Sequence, residues 1–175
     1  MATEHLKTTV ITNLNTLPPT RATTGAGAAG VLRHNAGTIT GTTAMEAAGT
    51  YRFVRVPWTV KVKHVRMALN AAVTNLAGDI GVYYSDSAYD GTPVDLQGDA
   101  VDVDLFGADI DLESVVALTD YTNESTNYTA AKRAQPLWQA AGLTACPAGY
   151  ADIALTLTET TDGAPVMYME VEYVE

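Results

Sequence analysis

Cys146 is the only cysteine in this 175-residue chain, so no disulfide can close within it. The chain is thus compatible with a reducing compartment. A chain of this length buries roughly 70% of its unfolded surface as one domain and needs no such staple. Basic residues are also scarce: ten Lys and Arg stand against twenty Asp and Glu, a formal charge of −10. That balance argues against a nucleic-acid partner, whose phosphate backbone calls for basic surface. No run approaches eighteen uninterrupted apolar residues, so no transmembrane helix is expected. The N-terminus, MATEHLKTTVITNLN, carries Glu4, His5 and Lys7 and lacks the apolar centre of a secretory signal.

The motifs that carry chemistry are missing as well. A serine nucleophile needs a base within hydrogen-bond reach, usually histidine, and none of His5, His34 and His64 stands in a nucleophile motif; no GxSxG occurs. There is no HExxH, no paired CxxC and no phosphate loop. GAGAAG, Gly25 to Gly30, lacks the strand and helix that would make it a nucleotide-binding turn. Cys146 lies between small residues and a proline, as a buried structural thiol would. The acids are many, but no pair is singled out for glycoside chemistry. Asn123 and Asn127 spell glycosylation sequons that mean little without a secretory signal. The expectation is a protein without catalysis and without a cofactor.

What is present is a period of two. In TYRFVRVPWTVKVKHVRMAL, Thr50 to Leu69, two strand-like runs break at Pro57, where a proline suits a bend or an edge. Val60 and Val62 share one face; after His64 the phase slips by one and Val65, Met67 and Leu69 take the apolar positions, as a β-bulge would produce. DIGVYYS, YADIALTLTE and VMYMEVEYVE alternate in the same way, the second as a half-buried strand. Asp162-Gly163 supplies a hairpin-like turn between the last two. AKRAQPLWQAAGL reads as one short helix that restarts at Pro136, stops at Gly142 and docks through Trp138. The fold class is therefore all-β: an antiparallel β-sandwich or jelly roll with one short helix over residues 31–175. Residues 1–30 read as an extended N-terminal arm, because TLPPTRATTGAGAAG has no period that would bury a face. Removing that arm is expected to leave the body folded.

Charge is unevenly spread. No Lys or Arg occurs between Arg66 and Lys132, an interval that holds twelve of the twenty acids. Arg52, Arg55, Lys61, Lys63 and Arg66 crowd a stretch with no acid from Glu46 to Asp79. Basic and acidic strands would then pair across a sheet, or copies of the chain would meet one another or a scaffold through opposite faces. Within the acidic interval, DVDLFGADIDLE places Asp102, Asp104, Gly107 and Glu113 at positions 1, 3, 6 and 12 of a calcium loop. Position 5 is Phe106 and neither flank reads as a helix, so the segment is better taken as an acidic edge whose charges discourage pairing. Asp102, Asp104 and Glu113 are the candidates for a calcium site of another kind.

The runs GTYRFVRVP, KVKHVRMAL, GDIGVYYS and VDVDLFGADIDL, followed by KRAQPLWQAAGL, YADIALTLTE and VMYMEVEYV, resemble small head proteins of tailed bacteriophages over residues 49 to 175. The resemblance is to capsid decoration or cement proteins. It implies a β-rich virion protein on the capsid exterior, made in the host cytoplasm, with the major capsid protein as partner, self-association as a homotrimer and an arm reaching over neighbours. It implies no catalytic residue, no nucleic acid and no membrane. Contact surfaces are then expected on the arm, at Leu14, Leu17 and Arg21, and on the basic strands, at Arg52, Arg55, Lys61, Lys63 and Arg66. The alternative is a jelly-roll fibre or head–tail module that binds host glycans or another virion protein, with Tyr83, Tyr89, Tyr121 and Tyr128 as its aromatics.

Overall fold

The computed structural model describes residues 5–7, 11, 12, 15, 31–41, 44–114 and 117–175. Leu14, Leu17 and Arg21, with most of the expected arm, lie outside the described residues. The strands are β1 (His5–Lys7), β2 (Leu32–Thr40), β3 (Thr50–Pro57), β4 (Lys61–Leu69), β5 (Ala77–Tyr84), β6 (Ala100–Asp111), β7 (Thr119–Asp120), β8 (Tyr150–Leu157) and β9 (Val166–Val174); a helical turn, α1, spans Leu137–Ala140.

They form two sheets, ordered β1-β3-β8-β5-β6 and β2-β9-β4-β7. Setting β1 aside, each sheet has four strands and every pairing is antiparallel. The chain passes from one sheet to the other at nearly every connection, and only β5 and β6 are successive neighbours. This is the wiring of an eight-stranded jelly roll, the more specific of the two expected architectures. It follows that Asp162-Gly163 does not close a hairpin. β8 and β9 lie in different sheets, and the loop between them crosses the sandwich. Pro57 has the same role: it ends β3, and its carbonyl accepts from Val60 N (3.3 Å) in the turn that carries the chain to β4 in the other sheet.

The core is the inward set of both sheets. Val62, Val65, Met67, Met169 and Val171 come from one, and Phe53, Ile80, Val82, Leu105, Ile153 and Leu155 from the other. The phase slip in β4 is present: register shifts between Val62 and His64, and Val65 and Met67 return to the interior. α1 is docked by Leu137, fully buried, while Trp138 is only half-buried, contrary to expectation. The reason is backbone anchoring: Leu137 N donates to Val60 O (2.8 Å) and Trp138 N to Trp58 O (3.2 Å), which aims Leu137 inward.

Two expectations are corrected here. The strand at Tyr150–Leu157 is almost wholly buried, because β8 is the central strand of its sheet and its outer face is covered as well. The described part of the N-terminal segment belongs to the body rather than to a detached arm. β1 adds to the sheet edge parallel to β3, His5 opposite Thr50 and Lys7 opposite Arg52, and Ile11 has no exposed surface.

Candidate interaction surfaces

The outer face of the β1-containing sheet is built around a carboxylate. Asp152 of β8 is completely buried. It accepts from Arg55 Nε (2.6 Å) and a terminal nitrogen of Arg55 (3.0 Å), with Arg52 3.4 Å away. Arg55 also donates to Asp86 (3.0 Å) and to Asn15 (2.9 Å), and Asn15 donates in turn to Asp86 (3.0 Å). Lys7 pairs with Asp86 too. Arg52 donates to the Tyr84 and Gly98 carbonyls (3.2 and 2.6 Å) and lies 4.9 Å from the centre of the Tyr83 ring. Burial pushes the Asp86 carboxyl up, but the hydrogen bonds from Lys7 and Asn15 more than reverse this and hold it below the usual range. Burial pushes the Asp152 carboxyl above its ordinary value, against the pull of Arg55 and Arg52. Such a network ties β3, β8, the loop after β5 and the N-terminal segment into one rigid face.

Arg52 and Arg55, expected as contact residues, are thus corrected: only 6% and 5% exposed, both spend their guanidinium groups inside the chain. The other sheet shows the same economy more openly. Basic β4 lies beside acidic β9, so Arg66 faces Glu170 and donates to Glu170 and Glu172 (2.9 and 2.8 Å). His34 and Tyr168 also meet Glu170, at 3.1 and 2.9 Å. Burial pushes the Glu170 carboxyl up, and Arg66, His34 and Tyr168 more than offset that. Lys63 donates to the Arg133 carbonyl (3.1 Å), and His64 meets Asp120 at 2.5 Å. Of the basic strand residues only Lys61 is classed as exposed. Cross-strand pairing therefore accounts for most of the crowded charge.

The acidic segment is an edge, as expected: β6 ends its sheet, and three register shifts against β5 break its ladder. Burial, then the neighbouring Asp104, push the Asp102 carboxyl up. The calcium candidates are not brought together. Asp102 stands opposite Val82 and Asp111 opposite Ala77, five residues along β5 or roughly 16 Å, with Glu113 further on. Two oxygens on one calcium lie within roughly 5 Å of each other. Glu113 instead accepts from Asn75 N (2.8 Å).

The tyrosines expected to face a glycan are mostly interior. Tyr83, Tyr121 and Tyr128 are 4%, 7% and 1% exposed; Tyr89 alone stands out, at 57%. Tyr128 donates to Val62 O (2.8 Å) and packs against Phe106 at 4.8 Å, so burial raises its hydroxyl pKa. Cys146 is exposed, not buried, because it lies in the irregular segment ahead of β8.

What sequence reading missed is how chemistry divides between the two ends of the sandwich. The register places the starts of β2, β4, β6 and β8 at one end with the finishes of β3, β5 and β9: Leu32 and Lys61 both face Val174, Pro57 faces Tyr150, and Tyr83 faces Ala100. Five of the seven exposed large apolar side chains belong there: Val31, Leu32, Tyr89, Val94 and Tyr150. The loop after β5 and the lead into β8 are locked together at this end. Gly149 has φ +84°, and a Cβ on it would lie 1.3 Å from the Asp90 carbonyl oxygen. The opposite end gathers Glu46, Asp79, Asp109, Asp111, Glu113, Glu159 and Asp162, and residues 41–50, 69–80, 107–118 and 157–166 contain no Lys, Arg or His. None of these seven carboxylates forms a salt bridge among the described residues. Burying a large apolar side chain stabilises by about 1.5–3 kcal/mol, whereas desolvating an unpaired carboxylate costs several kcal/mol. The apolar end is therefore much the easier of the two to cover.

The fold defines the chain as a jelly-roll protein. No family model matches it, and no curated protein does. Among solved structures, a chain of the cyanophage Pam1 capsid asymmetric unit aligns over 92% of this chain and 97% of its own length, at 16% identity and a TM-score of 0.36. A likeness that loose carries no argument about function.

Proposed function

We propose that this chain is a virion structural protein that binds the outside of a major capsid lattice and stabilises the phage head, as a self-associating, homotrimeric decoration protein. The observation that supports this most is the eight-stranded jelly-roll wiring, found on a chain whose strand sequences resemble tailed-phage head proteins. Jelly rolls recur in viral capsid and lectin domains. The lectin reading needs aromatics at the surface, and three of the four tyrosines it relies on are buried. The charged side chains support a structural role too, since Arg52, Arg55 and Asp152 are engaged with one another instead of being poised for substrate.

Decoration acts by mass action: a protein that binds the mature lattice and not its disrupted state stabilises that lattice by linkage, by about 2.7 kcal/mol at a hundredfold excess over Kd. Many symmetric copies add avidity. Adding the purified chain to expanded shells is therefore expected to raise the temperature at which they release their contents. A release temperature that stays the same at saturating protein contradicts the proposal.

A further inference from the structure

We infer that the chain docks end-on, with the apolar end against the protein lattice and the acidic end turned to solvent. This rests on the decoration reading above and names the surface that reading requires. Val94, Leu32 and Tyr89 are 78%, 58% and 57% exposed, and Tyr150 is 40%. They come from three separate segments: the start of β2, the loop after β5 and the start of β8. The surface is rigid, not a set of free loops. Arg52 holds Gly98 and Tyr84, and Asp90 is packed against Gly149. A preorganised apolar patch loses little entropy on binding.

The choice of occupant follows from charge and position. The far end carries seven carboxylates unpaired by any cation, which any protein surface would have to desolvate, so it is suited to water. Lys61, exposed and opposite Val174 at the apolar end, adds a positive charge at the rim, where a charge steers encounter and fixes register. Asn15 and Val31 flank the stretch outside the described residues, and both stand at the apolar end. Asn15 is held there by Asp86 and Arg55, and Val31 leads into β2. Side-by-side packing of three copies leaves such an end free to face the lattice.

The test uses the full chain and shells of the major capsid protein, with affinity read by quantitative co-sedimentation. A Val94→Asp/Leu32→Asp variant alters two of the most exposed side chains and is expected to keep its melting temperature while binding at least about tenfold more weakly. A Glu159→Lys/Asp162→Lys variant at the acidic end is expected to bind like the parent. If the parent binds and the first variant binds equally well, the docking face lies elsewhere, and end-on docking is overturned while decoration stands. If the first variant dissociates oligomers of the free chain in sedimentation velocity, the apolar end joins copies to one another and the inference is overturned. If the parent binds no shell at all, the decoration reading falls and takes this inference with it.

Discussion

Replacing Asp152 with alanine is expected to lower the unfolding free energy by roughly 3–5 kcal/mol, the cost of removing one partner from a buried ion pair. Asp152 has no exposed surface and accepts two hydrogen bonds from Arg55, with Arg52 close by. Its loss strands guanidinium nitrogens where water cannot reach them. Arg55 keeps Asp86 and Asn15, so the network loosens rather than disappears. In a chain of this size the loss corresponds to a fall in Tm of roughly 10 °C. Glu175→Gln is the control. Its pair with Arg33 is 37% exposed on the glutamate side, and pairs of that kind are worth at most about 1 kcal/mol. Calorimetry of both variants decides the matter, and equal, small shifts would mean that the network does not hold this face together.

A chain that begins at Thr16 is expected to be less stable than the full chain by roughly 4 kcal/mol. Losing a fully buried isoleucine side chain alone costs about 2–5 kcal/mol, and Ile11 is fully buried. The truncation also bares the edge of β3 at Thr50 to Arg52 and takes Lys7 and Asn15 from Asp86. Urea unfolding with an unchanged midpoint would show that the N-terminal residues are separable after all. The result also bears on shell binding. Lost binding on deletion of the N-terminal segment is interpretable as a lost contact only where the body's stability has been measured alongside.

The body of the fold was legible because its signal is local. Alternation in β4, β5 and β9 follows from one face meeting the core, and the slip after Val62 is written in the apolar positions themselves. Jelly-roll wiring was legible only as one of two options, because which strand pairs with which depends on contacts between residues far apart in sequence. β8 was misread as half-buried because Asp152 looks like an outward residue until Arg52 and Arg55 are seen beside it. The same partners removed those two arginines from the expected contact surface. Ile11 gave no periodic signal, since a single buried residue has no period. The apolar end was invisible in sequence because Leu32, Tyr89, Val94 and Tyr150 are scattered over some 120 residues and meet only through the register of two sheets. Scattered apolar residues mean little until they share a surface.

The most direct measurement is co-sedimentation of the purified chain with shells of its major capsid protein before and after expansion. The expected result is saturable binding to expanded shells at a fixed ratio per capsomer, in multiples of three copies, with none on unexpanded shells. No binding to either form would contradict the decoration role.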